Sequence, residues 1–175
     1  MTAQGPVLIL VGPPGSGKTT VGRALADALG VTFRDTDVDV EAKVGKTIST
    51  IFIEDGEPVF RAAEEEAVRA ALDGHAGVLA LGGGAVLSER TRALLAGHPV
   101  VFLNVGLGEG VRRTGLSTAR PLLAGVNPRA RFRELLEARL PLYREVATVE
   151  VATDGRSPKQ LAGEILGLPG LVSGA

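Results

Sequence analysis

The sequence predicts an α/β protein whose parallel sheet is covered by helices on both faces. Short apolar runs alternate with amphipathic segments along the chain, the pattern that a buried parallel sheet and its crossover helices impose. The first apolar run, residues 7–11, passes directly into GPPGSGKT at 12–19, and strand, glycine-rich turn and helix in that order open many such sheets. With 175 residues and 45% hydrophobic content, the chain makes one domain that buries roughly two thirds of its unfolded surface.

Each element has a local reason. Residues 7–11 are uninterrupted apolar, as a central strand requires. Val21, Leu25, Ala28 and Leu29 recur at helical spacing behind the glycine turn, and Gly30 closes that helix. Residues 32–35 read as a second strand, 38–44 as a short helix and 49–54 as another, ended by Asp55-Gly56. From 57 to 72, Phe60, Ala63, Ala67, Val68 and Ala71 keep helical spacing, with Gly74 as the stop. Residues 78–81 form the third strand and run into Gly82, Gly83 and Gly84. A helix near 88–96 precedes the fourth strand at 100–104, and 109–114 is helical. The stretch 115–128 has Gly/Pro-type breakers at each end and little periodicity, which predicts a mobile loop. Residues 129–143 are helical with Phe132, Leu135, Leu136 and Leu140 on one face, although Pro141 should kink or end that helix early. Residues 148–151 make the fifth strand and 157–166 a last helix with Pro158 in its first turn, after which the tail from Pro169 frays.

Composition removes several function classes. The 19 basic and 20 acidic residues nearly cancel, so no overall field recruits nucleic acid or an anionic membrane, and any anion site must be local. Aromatic residues are only 3%, with no Trp and a single Tyr143, too few for base-stacking platforms. The absence of cysteine excludes disulfides and thiolate metal sites and fits a reducing, cytoplasmic setting. The opening apolar run is far short of a membrane span and lacks the flanks of a signal peptide.

The GPPGSGKT run carries the first chemistry. Gly12, Gly15 and Gly17 let backbone N–H groups turn inward around phosphate oxygens, where a Cβ would obstruct. Lys18 then meets the β and γ phosphates and the Thr19 hydroxyl is a ligand for Mg²⁺. The helix beginning near Lys18 points its positive dipole end at the same anion. Ser16 and Thr20 complete the nucleotide-facing set, with the Ser16 hydroxyl either assisting or only fitting the loop.

Further along, Asp35-Thr36-Asp37 closes the second strand, at the sheet edge where ligands bind. Alternation sends both carboxylates to one side while the strand lasts. One would hold Mg²⁺ through water and the other accept a substrate hydroxyl; equally, Thr36 or Asp37 would cap the next helix. The glycine run at 82–84 either offers bare backbone to a ligand or is a flexible turn. Arg139 lies on the seam of an apolar helix face, four after Leu135 and four before Tyr143, where it snorkels to water or meets a buried anion with its fork. Arg61 poses the same question, with Glu64 and Glu65 at helical spacings that would hold it. Arg120 in the 115–128 loop is either solvated or a lid charge that reaches a transferred phosphoryl group. His75 and His98 have no second ligand at metal spacing and read as structural.

With GPPGSGKT, DTD at 35–37, GExxFRxxE at 56–64, GGG at 82–84, RPLL at 120–123 and RxPLY at 139–143, the chain resembles the shikimate kinase family over nearly its whole length. The resemblance implies a P-loop NTPase fold of the nucleoside monophosphate kinase type. That fold has a five-stranded parallel sheet in order 2-3-1-4-5 flanked by helices, a lid at about 115–127 and a substrate-binding region at about 37–64. It implies ATP, Mg²⁺ and phosphorylation of the 3-hydroxyl of shikimate, a step toward chorismate and the aromatic amino acids, by a monomer. Carried onto matching positions, it makes Asp37 the base that also holds shikimate hydroxyls. Thr19 and Asp35 become the Mg²⁺ residues, the latter through water. Arg61 and Arg139 become the clamp on the shikimate carboxylate. Gly82, Gly83 and Gly84 would lie against the ring, with Phe52, Phe60, Glu64 and Leu122 lining the pocket. Arg120 would be the lid arginine, and Arg113, Arg156 and Pro158 would stand near the adenine.

Gluconate kinase, of related fold, is the nearest enzymatic rival, and a different lid and substrate segment is expected there. A second nucleotide site, as adenylate kinase-type enzymes need, has no residues to form it. A nucleotide-dependent switch could keep the phosphate loop but has no reason to keep Asp37 with Arg61 and Arg139.

Overall fold

The computed structural model describes residues 5–114 and 127–172. Five strands, β1 (Leu8–Val11), β2 (Phe33–Asp35), β3 (Val78–Ala80), β4 (Val100–Asn104) and β5 (Val149–Ala152), form one sheet. The order is β2-β3-β1-β4-β5 with every pairing parallel. β1 is central, with Ile9 opposite both Leu79 and Val100.

Around the sheet lie α1 (Lys18–Leu29), α2 (Thr36–Val44), α3 (Ile48–Glu54) and α4 (Glu57–Gly74). They are followed by α5 (Glu89–Leu95), α6 (Leu107–Thr114), α7 (Pro128–Val146) and α8 (Pro158–Leu166). Successive residues of β1 serve opposite faces: Leu8 and Leu10 pack with Val21, Leu25, Leu161 and Ile165 of α1 and α8. Ile9 and Val11 pack with Val68, Leu72, Leu95 and Tyr143 of α4, α5 and α7. Both faces are therefore dry, which is why this strand reads as an unbroken apolar run rather than an alternation. A separate small cluster, Val40, Ile51, Phe60 and Ala67, ties α2 and α3 to α4.

Three expectations change. α7 continues through Pro141 to Val146 instead of stopping, because Tyr143 beyond it is fully buried and stacked on Phe102 at 4.9 Å, and tertiary packing outweighs one missing bond. The tail does not fray at Pro169, since Leu171 is buried in the α1–α8 core. The helix expected over 109–114 begins earlier, at Leu107. The expected lid, 115–127, lies outside the described residues save for Asn127, whose side chain caps α7.

Candidate active site

Behind β1 the chain turns through Gly12, Gly15 and Gly17 at φ 155°, 79° and 93°. A Cβ on Gly12 would stand 2.6 Å from the Leu103 carbonyl oxygen, so the turn admits no side chain there. Lys18 opens α1 and its Nζ donates to the Gly12 and Pro13 carbonyls at 2.7 and 3.0 Å. The N-cap, Gly17, supplies no side-chain bond, which leaves the first-turn N–H groups to face an anion. Ser16 is fully buried within the loop, and Thr20 turns its hydroxyl back onto the Gly17 carbonyl. A cleft of about 360 Å³ opens over this loop, and Asp35, Asp37, Gly83, Arg113, Arg156 and Pro158 also line it.

The two aspartates reach the cleft by a different route from strand alternation. β2 stops at Asp35 and α2 starts at Thr36, so Asp37 sits in the first helical turn. Asp35 itself is the cap: its Oδ1 accepts the Asp37 N–H at 2.9 Å, while Oδ2 accepts the Thr19 hydroxyl at 3.3 Å. Neither Thr36 nor Asp37 caps. A hydroxyl and a carboxylate meeting beside a phosphate loop are hard oxygen donors of the kind Mg²⁺ takes together with phosphates and water. No cluster of three carboxylate or histidine ligands occurs among the described residues.

The glycine run after β3 is where the remaining side chains gather. A Cβ on Gly82 would fall 2.5 Å from Asp37 Oδ1 and 2.7 Å from Glu64 Oε2, and one on Gly84 would collide with the Arg61 guanidinium. The run is close-packed against these side chains and is not a loose turn. Arg61 donates to Glu64 Oε1 at 2.8 Å and to Glu57 Oε2 at 3.2 Å, so its partners are Glu64 and Glu57 rather than Glu64 and Glu65. Its guanidinium lies 5.1 Å from the Phe60 ring centre and 6.0 Å from that of Phe52, and the two rings pack at 4.9 Å.

Arg139 is 6% exposed, which excludes snorkelling. Among the described residues no carboxylate meets it at ion-pair distance; Glu64 and Tyr143 are the charged and polar groups that feel its field. Burial pushes the Glu64 carboxyl above its ordinary range, with the Arg61 and then the Arg139 guanidinium opposing. Its Oε2 is buried without a hydrogen-bond partner. Burial also pushes the Tyr143 phenol up to about 12.

At the other end of the cleft, Arg113 donates to the Gly15 carbonyl at 2.9 Å and to Glu109 at 3.0 Å. Arg156 pairs with Glu164, and Pro158 is the first residue of α8. Arg120 and Leu122 lie outside the described residues. Among the residues at the site that the sequence reading does not assign to it, Glu57 has a signal, standing four before Arg61; Thr36, read there as a candidate cap, and Tyr143 belong to the DTD and RxPLY motifs.

The shikimate kinase family model matches residues 14–168. The shikimate kinase of Saccharopolyspora erythraea is 71% identical over 92% of each chain. That of Salinispora arenicola is 64% identical over 93% of this chain and 97% of its own. Among solved structures, shikimate kinase from Acinetobacter baumannii in complex with shikimate superposes with a TM-score of 0.89 at 41% identity, over 93% of this chain and 91% of that one. With its sheet order, its phosphate loop and this breadth of similarity, the chain belongs to the shikimate kinase family.

Proposed function

We propose that this chain uses ATP to phosphorylate shikimate at its 3-hydroxyl, with Asp37, Arg61 and Arg139 holding the acceptor. The observation that carries the reading is the gathering of Asp37, Arg61, Glu64 and Tyr143 around the glycine run at 82–84, beside the cleft over the phosphate loop. A small carboxylated polyol needs a guanidinium pair for its acid and a carboxylate for its hydroxyls; that the Arg61 and Arg139 guanidiniums both act on Glu64, and that Glu64 and Asp37 both face Gly82, supports the reading.

In the reaction the 3-oxygen of shikimate attacks the γ-phosphorus, the bond from that phosphorus to the β-bridging oxygen breaks, and ADP leaves. The hydroxyl proton passes to Asp37. Because the transition state is loose, early deprotonation contributes little and orientation by Asp37 dominates. Lys18, released from the Gly12 and Pro13 carbonyls, stabilises charge on the β and γ phosphates. Thr19 and Asp35 would hold Mg²⁺, whose contribution when bound is to neutralise phosphate charge. Gly12, Gly15, Ser16, Gly17 and Thr20 form the rest of the phosphate cradle, and Arg113, Arg156 and Pro158 take the adenine end. Phe52, Phe60 and Glu64 wall the acceptor site; Leu122 and Arg120, which the family resemblance assigns to the acceptor and to the transferred group, lie outside the described residues. The working form in this reading is a cytoplasmic monomer; no described helix is long and apolar enough to cross a membrane.

Coupled ADP release with shikimate against gluconate tests the assignment. Turnover of shikimate with gluconate inert is the expected outcome, and comparable or faster turnover of gluconate would overturn it.

A further inference from the structure

The three glycines at 82–84 present a difficulty. A run without side chains is the most pliable kind of backbone, yet it separates Asp37 from Arg61 and Arg139, whose spacing must match one small molecule to within about half an ångström. The turn that follows holds two of its carbonyls, the Ala85 and Leu87 N–H groups donating to Gly82 and Gly84 at 3.0 Å. Two hydroxyls from elsewhere hold the Gly82 N–H and the Gly83 carbonyl. The Gly82 N–H donates to Thr36 Oγ1 at 3.1 Å, and the Tyr143 hydroxyl donates to the Gly83 carbonyl at 2.5 Å. Thr36 and Tyr143 are both fully buried.

Their positions are telling. Thr36 directly precedes Asp37 at the start of α2, and Tyr143 stands one helical turn beyond Arg139 on α7. Two of the three helices that bring a proposed substrate-holding side chain, α2 with Asp37 and α7 with Arg139, thus also bring a hydroxyl that pins the intervening backbone. We propose that Thr36 and Tyr143 are positioning residues for the reaction, their hydroxyls fixing the peptide groups of the glycine run between Asp37 and Arg139. This rests on the shikimate reading above.

Packing alone does not account for the phenol. A phenylalanine would stack on Phe102 equally well, and burying an extra hydroxyl is favourable only when it is bonded. The phenol remains protonated, and so remains a donor, across the working pH range, since burial pushes it up to about 12.

The test uses Tyr143→Phe and Thr36→Val, with Thr36→Ser as the conservative rescue. The expected result is a rise of about 2- to 12-fold in shikimate KM for Tyr143→Phe and Thr36→Val, the affinity equivalent of one net hydrogen bond. ATP KM should stay within about twofold, and Thr36→Ser should stay near wild type. Tyr143 is the sole tyrosine in a chain without tryptophan, so near-ultraviolet emission reports this phenol alone. In the wild type it should change saturably with shikimate and not with gluconate. Variants that lose thermal stability but keep wild-type shikimate KM would overturn the proposal, as would equal increases in both KM values or a shikimate titration that leaves the emission unmoved. Wild-type protein that fails to phosphorylate shikimate would instead remove the functional reading on which the proposal stands.

Discussion

A guanidinium taken out of water costs several kcal/mol unless an anion meets it. Arg139, 6% exposed and without an ion-paired carboxylate among the described residues, is met by the Tyr143 hydroxyl and by the field of Glu64, which offset only part of that cost. In the proposed function an acceptor carboxylate would relieve the rest, and truncating one partner of a buried charged pair removes about 2 to 5 kcal/mol. Arg139→Ala should therefore raise shikimate KM by about 30-fold or more while ATP affinity is unchanged. Weakened ATP binding with an unaltered shikimate KM would remove Arg139 from the acceptor site. Glu64 makes the opposite case, a buried carboxylate that resists ionising. Its folded pKa lies above the ordinary 4.5, burial being the largest cause. The protonated form is favoured on folding, so this stabilisation is complete below about 4.5 and is lost as pH rises through the folded value. Glu64→Gln keeps the shape without the charge. The difference in Tm, wild type minus Glu64→Gln, should fall as pH rises from 4.5 toward neutrality, and a difference independent of pH would show that Glu64 titrates normally.

Elements show why the sequence disclosed some of this site and withheld the rest. The phosphate loop was legible because its parts are contiguous: glycines at φ 155°, 79° and 93° and a lysine heading a helix are one local motif. The sheet was legible too, because β1 and β4 are buried on both faces and show as apolar runs. Helix α7 misled, since Pro141 breaks helices locally while Tyr143 two residues on is locked by Phe102 and the Gly83 carbonyl. The Asp35-Thr36-Asp37 segment misled in detail. A strand of three residues passes into a helix at once, so a capping bond and not alternation sets the directions of the two carboxylates. Least visible were bonds between distant segments: Thr36 meets Gly82 across 46 residues and Tyr143 meets Gly83 across 60. Periodicity gives each helix a face, but it does not say which distant backbone group that face will meet.

The whole molecule divides its stability unevenly. β1, β3 and β4 lie between two extensive apolar layers, whereas α2, α3 and the start of α4 depend on the small cluster of Val40, Ile51, Phe60 and Ala67. Regions with little buried apolar surface open at lower free energy than the core, so amides over residues 37–64 should exchange hydrogen faster than those of β1 and β4. Shikimate would join Asp37 on α2 and Arg61 on α4 to Arg139 on α7, stitching the weak region to the strong one. A ligand that binds only the closed region stabilises it by mass action, about 2.7 kcal/mol at a hundred times Kd, or roughly 100-fold slower exchange. The slowing should be concentrated in α2–α4 with shikimate, and in α1 and the phosphate loop with nucleotide. Exchange in α2–α4 that ignores shikimate, or that nucleotide alone slows equally, would mean that this region does not close around the acceptor.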